Sequence, residues 1–252
     1  LSRRGYSLRG GIRAAEWRLW GACSYKWAYL PSHIMAVIPC PMGHTCRPRR
    51  AHFATIHRLE DSIVPYNISF ISLGCAKNQV NCEQMMASVQ AAGHTIQAQP
   101  EGADVVVVNT CGFLQSACEE AIDNILEMAE LKRAGQVQKI LVTGCMTQRY
   151  KQDVLNELPE VDGILGTGSY GDICAAIDEV MAGSGLRPCH LGNIHTAPQD
   201  GGRILSTPPW YAYLRIAEGC DNHCAYCVIP SLRGKYRSRP MEGLLEEARE
   251  LA

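Results

Sequence analysis

Ala103-Asp104-Val105-Val106-Val107-Val108-Asn109, running into Thr110-Cys111-Gly112, is the stretch that decides the fold. Four consecutive valines show no polar alternation, so the strand they predict is apolar on both faces, as in a parallel sheet covered by helices on each side. The same grammar recurs in both directions. Upstream, Ile68 to Leu73 predicts a strand that breaks at Gly74-Cys75, and Asn81 to Ala92 a helix stopped by Gly93. Downstream, a helix is expected from about Ser116 to Arg133, with Ala121, Ile125, Met128 and Ala129 at helical spacing and Gly135 as its stop. Lys139 to Thr143 then predicts a strand ending at Gly144-Cys145, followed by a helix from about Gln148 to Glu157. A short strand at Gly163 to Leu165 and a helix from about Tyr170 to Met181 complete the series. Strand and helix alternating through short turns predict an α/β class protein with a doubly wound parallel sheet.

Cys75, Cys111 and Cys145 each fall just past the carboxyl end of a predicted strand. That edge of an open α/β sheet is where ligands bind, so three residues far apart in sequence are expected to meet in one crevice and hold an iron–sulfur cluster. The competing reading is that buried cysteine is a common small hydrophobe. Cys82, Cys118 and Cys174 suit that reading, because they lie inside predicted helices where packing accounts for them.

A second triad is compact. Gly219-Cys220-Asp221-Asn222-His223-Cys224-Ala225-Tyr226-Cys227 spaces three cysteines as Cys-x-x-x-Cys-x-x-Cys in one loop. A closed zinc site or an ordinary 4Fe–4S cluster takes four protein ligands. Three cysteines leave one iron of a 4Fe–4S cluster open, and that iron can take the amino and carboxylate groups of S-adenosylmethionine beside a one-electron source. His223 completing a zinc site is the alternative, although it lies inside the loop next to Cys224 and the spacing follows neither common zinc pattern.

The 252 residues allow one large or two modest domains, and 46% hydrophobic against 19% charged residues describes a globular chain. No apolar run approaches the roughly 18 residues that a membrane helix needs. Thirteen cysteines, an odd number, without a secretory apolar segment at the start, predict reduced thiols and metal ligands in a cytoplasmic protein rather than disulfides. The formal charge of −1 conceals an uneven distribution: residues 1–59 carry ten Lys and Arg against one Glu.

Residues 1–66 lack either periodicity and are punctuated by Pro31, Pro39, Pro41, Pro48 and Pro65. Arg3, Arg4, Arg9, Arg13 and Arg18 give a transit-peptide composition, but the segment is expected to be an unstructured or non-native leader. Cys40, His44, Cys46 and His52 follow no familiar zinc spacing. Residues 67–183 are expected to form the α/β domain. Residues 184–208, rich in Gly and Pro, read as a linker in which Cys189, His190 and His195 lack a partner at ligand spacing. Residues 209–252 are expected to open a second domain: Trp210 to Ala217 as the first strand of a (β/α) barrel that delivers the chain into the Cys220 loop. Beyond it, Arg233-Gly234-Lys235-Tyr236-Arg237-Ser238-Arg239 reads either as a phosphate- or RNA-holding run or as a solvated basic loop. Pro240 starts a helix.

With both triads placed, residues 68–252 resemble the methylthiotransferase family of radical S-adenosylmethionine enzymes. The resemblance rests on Ser72-Leu73-Gly74-Cys75-Ala76-Lys77-Asn78, Asn109-Thr110-Cys111-Gly112-Phe113, Thr143-Gly144-Cys145-Met146 and Ala217-Glu218-Gly219-Cys220 through Cys227. Within the family, Asn109 to Phe113, Pro159-Glu160-Val161-Asp162 and Ile229 through Arg239 are most similar to the branch acting on an aspartate β-carbon of ribosomal small-subunit protein uS12. The tRNA-adenosine branch is the nearest alternative, and a zinc-binding nucleic-acid module is the alternative of another class. Ala76 where the family usually has Pro, and Asn81-Cys82 for Asp-Ser, are departures away from the presumed ligands.

The resemblance implies two 4Fe–4S clusters and S-adenosylmethionine. Cys220, Cys224 and Cys227 would hold the radical-generating cluster, with Tyr226 bordering the adenine; Cys75, Cys111 and Cys145 would hold the auxiliary, sulfur-carrying cluster. No catalytic residue is assigned beyond these ligands. It also implies uS12 as substrate and an electron donor such as flavodoxin or ferredoxin. The family's barrel and its C-terminal substrate-holding domain extend further than residue 252, so this chain reads as a truncated form expected to bind iron without turnover.

Overall fold

A computed structural model describes residues 64–196 and 201–252, all of which lie in one compact unit, Arg58–Ala252. The basic segment, and with it Cys40, His44, Cys46 and His52, lies outside the described residues.

The valine run forms strand β3 (Val105–Thr110), in which every residue is buried. It lies between β1 (Asn67–Ser72) and β4 (Lys139–Gly144), parallel to both, with Val105 opposite Ile68 on one side and Lys139 on the other. β2 (Thr95–Gln97), β5 (Gly163–Leu165) and β6 (Cys189–His190) complete a six-stranded sheet in the order β2-β1-β3-β4-β5-β6, parallel throughout.

Because side chains alternate along a strand, the valines divide between two cores. Val106 and Val108 pack with Ile140, Val142 and Ile164 under α2 (Gln115–Arg133) and α4 (Gln152–Glu157). Val105 and Val107 pack with Ile68, Leu141 and Leu165 under α1 (Ala76–Ala91) and α5 (Ile173–Met181). The chain steps from β1 to β2 on one side and from β3 to β4 on the other, so the order reverses between β1 and β3. Such a reversal leaves a crevice at the carboxyl ends of the strands.

Several elements depart from the sequence expectation for identifiable reasons. α1 begins at Ala76 rather than Asn81. Its first turn, Ala76-Lys77-Asn78-Gln79, has no apolar periodicity because its polar side chains are used in tertiary contacts. The helix expected over 148–157 is two helices, α3 (Cys145–Tyr150) and α4, broken where Lys151 takes φ +49°. The segment read as a linker contributes β6 to the sheet edge.

The strand expected over Trp210 to Ala217 is only β7 (Ala217–Glu218), and it pairs antiparallel with β8 (Arg237–Ser238). A parallel barrel strand needs a parallel neighbour, and the described residues after 209 supply only this short ladder together with α6 (Ile229–Arg233) and α7 (Met241–Leu251). α7 follows Pro240 as expected.

Candidate iron–sulfur site

The three strand ends are locked together by glycines. Gly74 (φ +106°) and Gly144 (φ +105°) adopt backbone that side chains disfavour. A Cβ on Gly74 would stand 3.0 Å from Cys111 Cβ, one on Gly112 2.5 Å from the Cys145 carbonyl carbon, and one on Gly144 2.3 Å from Thr110 O. Each turn therefore presses its backbone against the next, and the cysteine beside each glycine is carried to the same place. Hydrogen bonds finish the lock: Leu73 N–H donates to Asn109 O at 2.8 Å, Thr110 Oγ1 to Thr143 O at 2.6 Å, and Arg149 to Gly112 O at 2.8 Å.

Cys75, Cys111 and Cys145 consequently line one cavity of about 840 Å³, together with Asn78, Glu218 and Arg233. Cys75 is exposed at its rim, Cys111 is half-buried, and Cys145 is buried. Burial raises the Cys145 thiol pKa above its ordinary value; the nearby Arg233 guanidinium opposes this by charge and hydrogen bonding, and the neighbouring Cys75 and Cys111 add to the rise. Of these influences only the Arg233 cation favours the thiolate form that ligates an inorganic centre.

Among the described residues, no three His, Cys, Asp or Glu side chains stand close enough to grip a single metal ion. Three thiols lining one cavity are a donor set of the kind that a 4Fe–4S cluster takes.

The second triad occupies the loop between β7 and α6. Cys220 and Cys227 are half-buried and Cys224 is exposed. The loop is closed at its base, where Cys220 N–H donates to Gly234 O at 3.1 Å and Tyr236 N–H to Asp221 Oδ1 at 2.9 Å. Gly219 (φ +77°) passes so near the returning chain that a Cβ would stand 2.0 Å from Lys235 O. Within the loop, Cys227 N–H donates to Cys224 O at 2.9 Å, and His223 takes φ +46°. Tyr226 is 86% exposed. The loop thiols do not line the 840 Å³ cavity, but Glu218 and Gly219, just before Cys220, do.

Of the cysteines expected to be packing residues, Cys82 and Cys118 are buried and Cys174 is half-buried, whereas Cys189 on β6 is exposed. Burial pushes the Cys82 thiol up to about 12. Cys174 donates to Ser88 O at 3.6 Å. His190 bonds Glu179 at 3.1 Å, and His195 Nδ1 accepts from Lys235 N–H at 3.3 Å.

The basic run is solvated only in part: Lys235 and Tyr236 are exposed, but two of its arginines are turned inward. Arg233 and Arg239 are buried, the first paired with Glu218 at 3.1 Å and the second with Glu247. They belong to a polar interface that sequence reasoning missed. Glu83 on α1 meets Arg203 at 3.3 Å, with both side chains 2% exposed, and accepts from Ser206 N–H and Oγ at 3.0 and 2.8 Å. Arg215 donates to Asn81 and, at 3.0 Å, to Gln84. The lone signal was a charge at 215 in an otherwise apolar stretch.

Residues 67–166 match the family described as "Uncharacterized protein family UPF0004", and this segment belongs to that family. Curated relatives refine the assignment. The chain is 50% identical over 186 residues to "Ribosomal protein uS12 methylthiotransferase RimO" of Syntrophomonas wolfei, covering 73% of this chain and 42% of that protein. It is 47% identical over 189 residues to the protein of the same name from Lachnoclostridium phytofermentans, with coverage of 73% and 42%. The corresponding protein of Clostridioides difficile is 46% identical over 186 residues. Over this stretch the chain is similar to methylthiotransferases of the RimO branch, and it spans 42% of the length of the first of these relatives. Among solved structures it is similar to the radical S-adenosylmethionine methyltransferase TsrM from Kitasatospora setae, with TM-score 0.51 and 12% identity over 74% of this chain and 45% of that one. That likeness concerns the fold. No helix among the described residues is long and apolar enough to cross a membrane.

Proposed function

We propose that the chain is part of a radical S-adenosylmethionine methylthiotransferase that places a methylthio group on an aspartate β-carbon of ribosomal protein uS12. The observation carrying this reading is the convergence of Cys75, Cys111 and Cys145 on one cavity that also reaches the approach to the Cys220–Cys227 loop. An ordinary methyltransferase has no use for a second thiol triad; transfer of sulfur has. The relatives' printed names supply the substrate.

In this reading Cys220, Cys224 and Cys227 hold one 4Fe–4S cluster with S-adenosylmethionine, and Cys75, Cys111 and Cys145 hold the other. Bound there, the clusters would supply one-electron chemistry on S-adenosylmethionine and the transferable sulfur. The protein's own contribution is positional. The three glycine-locked turns hold one thiol triad, the β7–β8 ladder closes the loop bearing the other, and exposed Tyr226 is free to border an adenine. Residues 67–183, with β6 from the following segment at the sheet edge, act as the auxiliary-cluster domain, and residues 209–252 belong to the radical domain. The ten cysteines among the described residues are all free thiols, which suits a cytoplasmic enzyme served by a small electron donor such as flavodoxin or ferredoxin.

A chimera tests the function. Residues 67–252 would replace the aligned segment of the Syntrophomonas wolfei relative, and uS12 and tRNA from the expressing cells would be examined by mass spectrometry. The expected result is methylthiolated uS12, unmodified tRNA, and loss of the product on Cys220→Ala. Iron-loaded chimera that modifies tRNA, or neither target, would contradict the assignment.

A further inference from the structure

We infer that Arg233 is a positioning residue for the cluster at Cys75, Cys111 and Cys145, setting how readily that cluster accepts an electron and tying it to the Cys220 loop. The inference rests on the proposed iron–sulfur reading of the triad.

Arg233 ends α6, downstream of the second triad, yet its side chain is 4% exposed and lines the cavity of the first. One arm of the guanidinium donates to Glu218 Oε2 at 3.1 Å and the other to Asn78 Oδ1. The orientation of Asn78 is fixed, because its amide nitrogen donates to Leu73 O at 3.2 Å and Thr110 O at 2.8 Å. Its oxygen must therefore face the cavity, where Arg233, Cys145 Sγ at 3.7 Å and Cys75 Sγ at 4.0 Å share it. A continuous path runs from two thiols through Asn78 and Arg233 to Glu218, two residues before Cys220.

A simpler role, neutralising Glu218, does not account for the arrangement. Lys77 already meets the other oxygen of that carboxylate at 3.3 Å. With Arg215 at 3.6 Å, three cations thus share one carboxylate beside the thiols, which leaves positive charge directed at the place where three thiolates and an added electron would gather negative charge. Arginine cannot shed its proton in a protein, so this charge is permanent. Cluster potentials respond to net charge and to hydrogen bonding around the sulfurs.

The test uses the full chain carrying Cys220→Ala, Cys224→Ala and Cys227→Ala, reconstituted anaerobically with iron and sulfide and titrated electrochemically with detection by electron paramagnetic resonance. With about four irons per chain retained, Arg233→Met is expected to make one-electron reduction roughly tenfold less favourable, about 59 mV more negative. Arg233→Lys should restore most of the difference. Glu218→Gln, which removes the neutralising carboxylate, should shift the potential the opposite way, and an exposed control, Lys235→Met, should leave it unchanged. Opposite signs at Arg233 and Glu218 are not produced by a purely structural pair. Potentials within about twofold in equilibrium constant for Arg233→Met, or a same-sign shift for Glu218→Gln, would overturn the inference. Should Arg233→Met fail to hold iron, the Glu218→Gln sign decides. A parent chain that holds no iron would overturn the cluster reading itself, a separate result.

Discussion

Replacing Glu83 by alanine is expected to lower the stability of the chain by about 3–5 kcal/mol, because it removes one of the two carboxylates, Glu83 and Glu247, that hold the buried Arg203 and leaves Ser206 without its acceptor. Glu83 lies in the middle of α1, and its side chain also receives both donors of Ser206 while its carbonyl accepts from Ile204 N–H at 3.2 Å. The segment around 203–216 is held to α1 largely through such contacts, so its detachment should accompany the loss. In thermal unfolding the midpoint should fall by about 6–20 °C. Adding Arg203→Met should recover part of this, since a buried ion pair replaced on both sides by apolar groups is often close to neutral and Glu247, the other partner of Arg203, keeps Arg239. A fall of under about 1 kcal/mol, the behaviour of an exposed pair, would show that this contact is solvated in solution.

The second large effect is expected at Gly144. Alanine there must adopt φ +105° and place its Cβ 2.3 Å from Thr110 O, a backbone atom that cannot swing aside. Strained backbone alone costs about 1–3 kcal/mol, and displacement of the β3 and β4 ends adds to it. Because Cys145 follows directly, the variant should lose iron binding at the auxiliary site as well as stability. Chemical unfolding combined with iron analysis checks both. Gly135→Ala makes a useful comparison, since its φ of +72° is also positive but no atom lies within 4 Å of the added carbon. Equal losses in the two variants would mean that conformational strain, not interlocking of the turns, governs the site.

These contacts show what was legible in the sequence and what was not. The valine run announced a strand buried on both faces, and the repeated strand-glycine-cysteine grammar placed Cys75, Cys111 and Cys145 on one edge of the sheet, where they lie. Both signals are local, and local signals survive without coordinates. β2 was missed because Thr95-Ile96-Gln97 holds a single apolar residue, and β6 because two residues after glycine- and proline-rich chain carry no periodicity. The start of α1 was missed because Lys77, Asn78 and Gln79 serve tertiary contacts instead of an apolar stripe. Trp210 to Ala217 misled in the other direction: its aromatic and aliphatic residues suggest a strand, yet only Ala217 and Glu218 find a pairing partner. The basic run at 233–239 reads as solvent-facing until Glu218 and Glu247 are known to lie opposite it. Pairings between residues more than a hundred positions apart, such as Asn78 with Arg233, leave no mark in composition or spacing.

The central claim is that two separate thiol triads each hold a four-iron cluster. Iron and acid-labile sulfide per chain, measured after anaerobic reconstitution, test it most directly when the wild type is compared with the Cys220→Ala, Cys224→Ala, Cys227→Ala variant. The account predicts about eight irons falling to about four. About four falling to none would mean that Cys75, Cys111 and Cys145 hold no cluster and that the sulfur source is missing; zinc without iron would contradict the radical chemistry altogether.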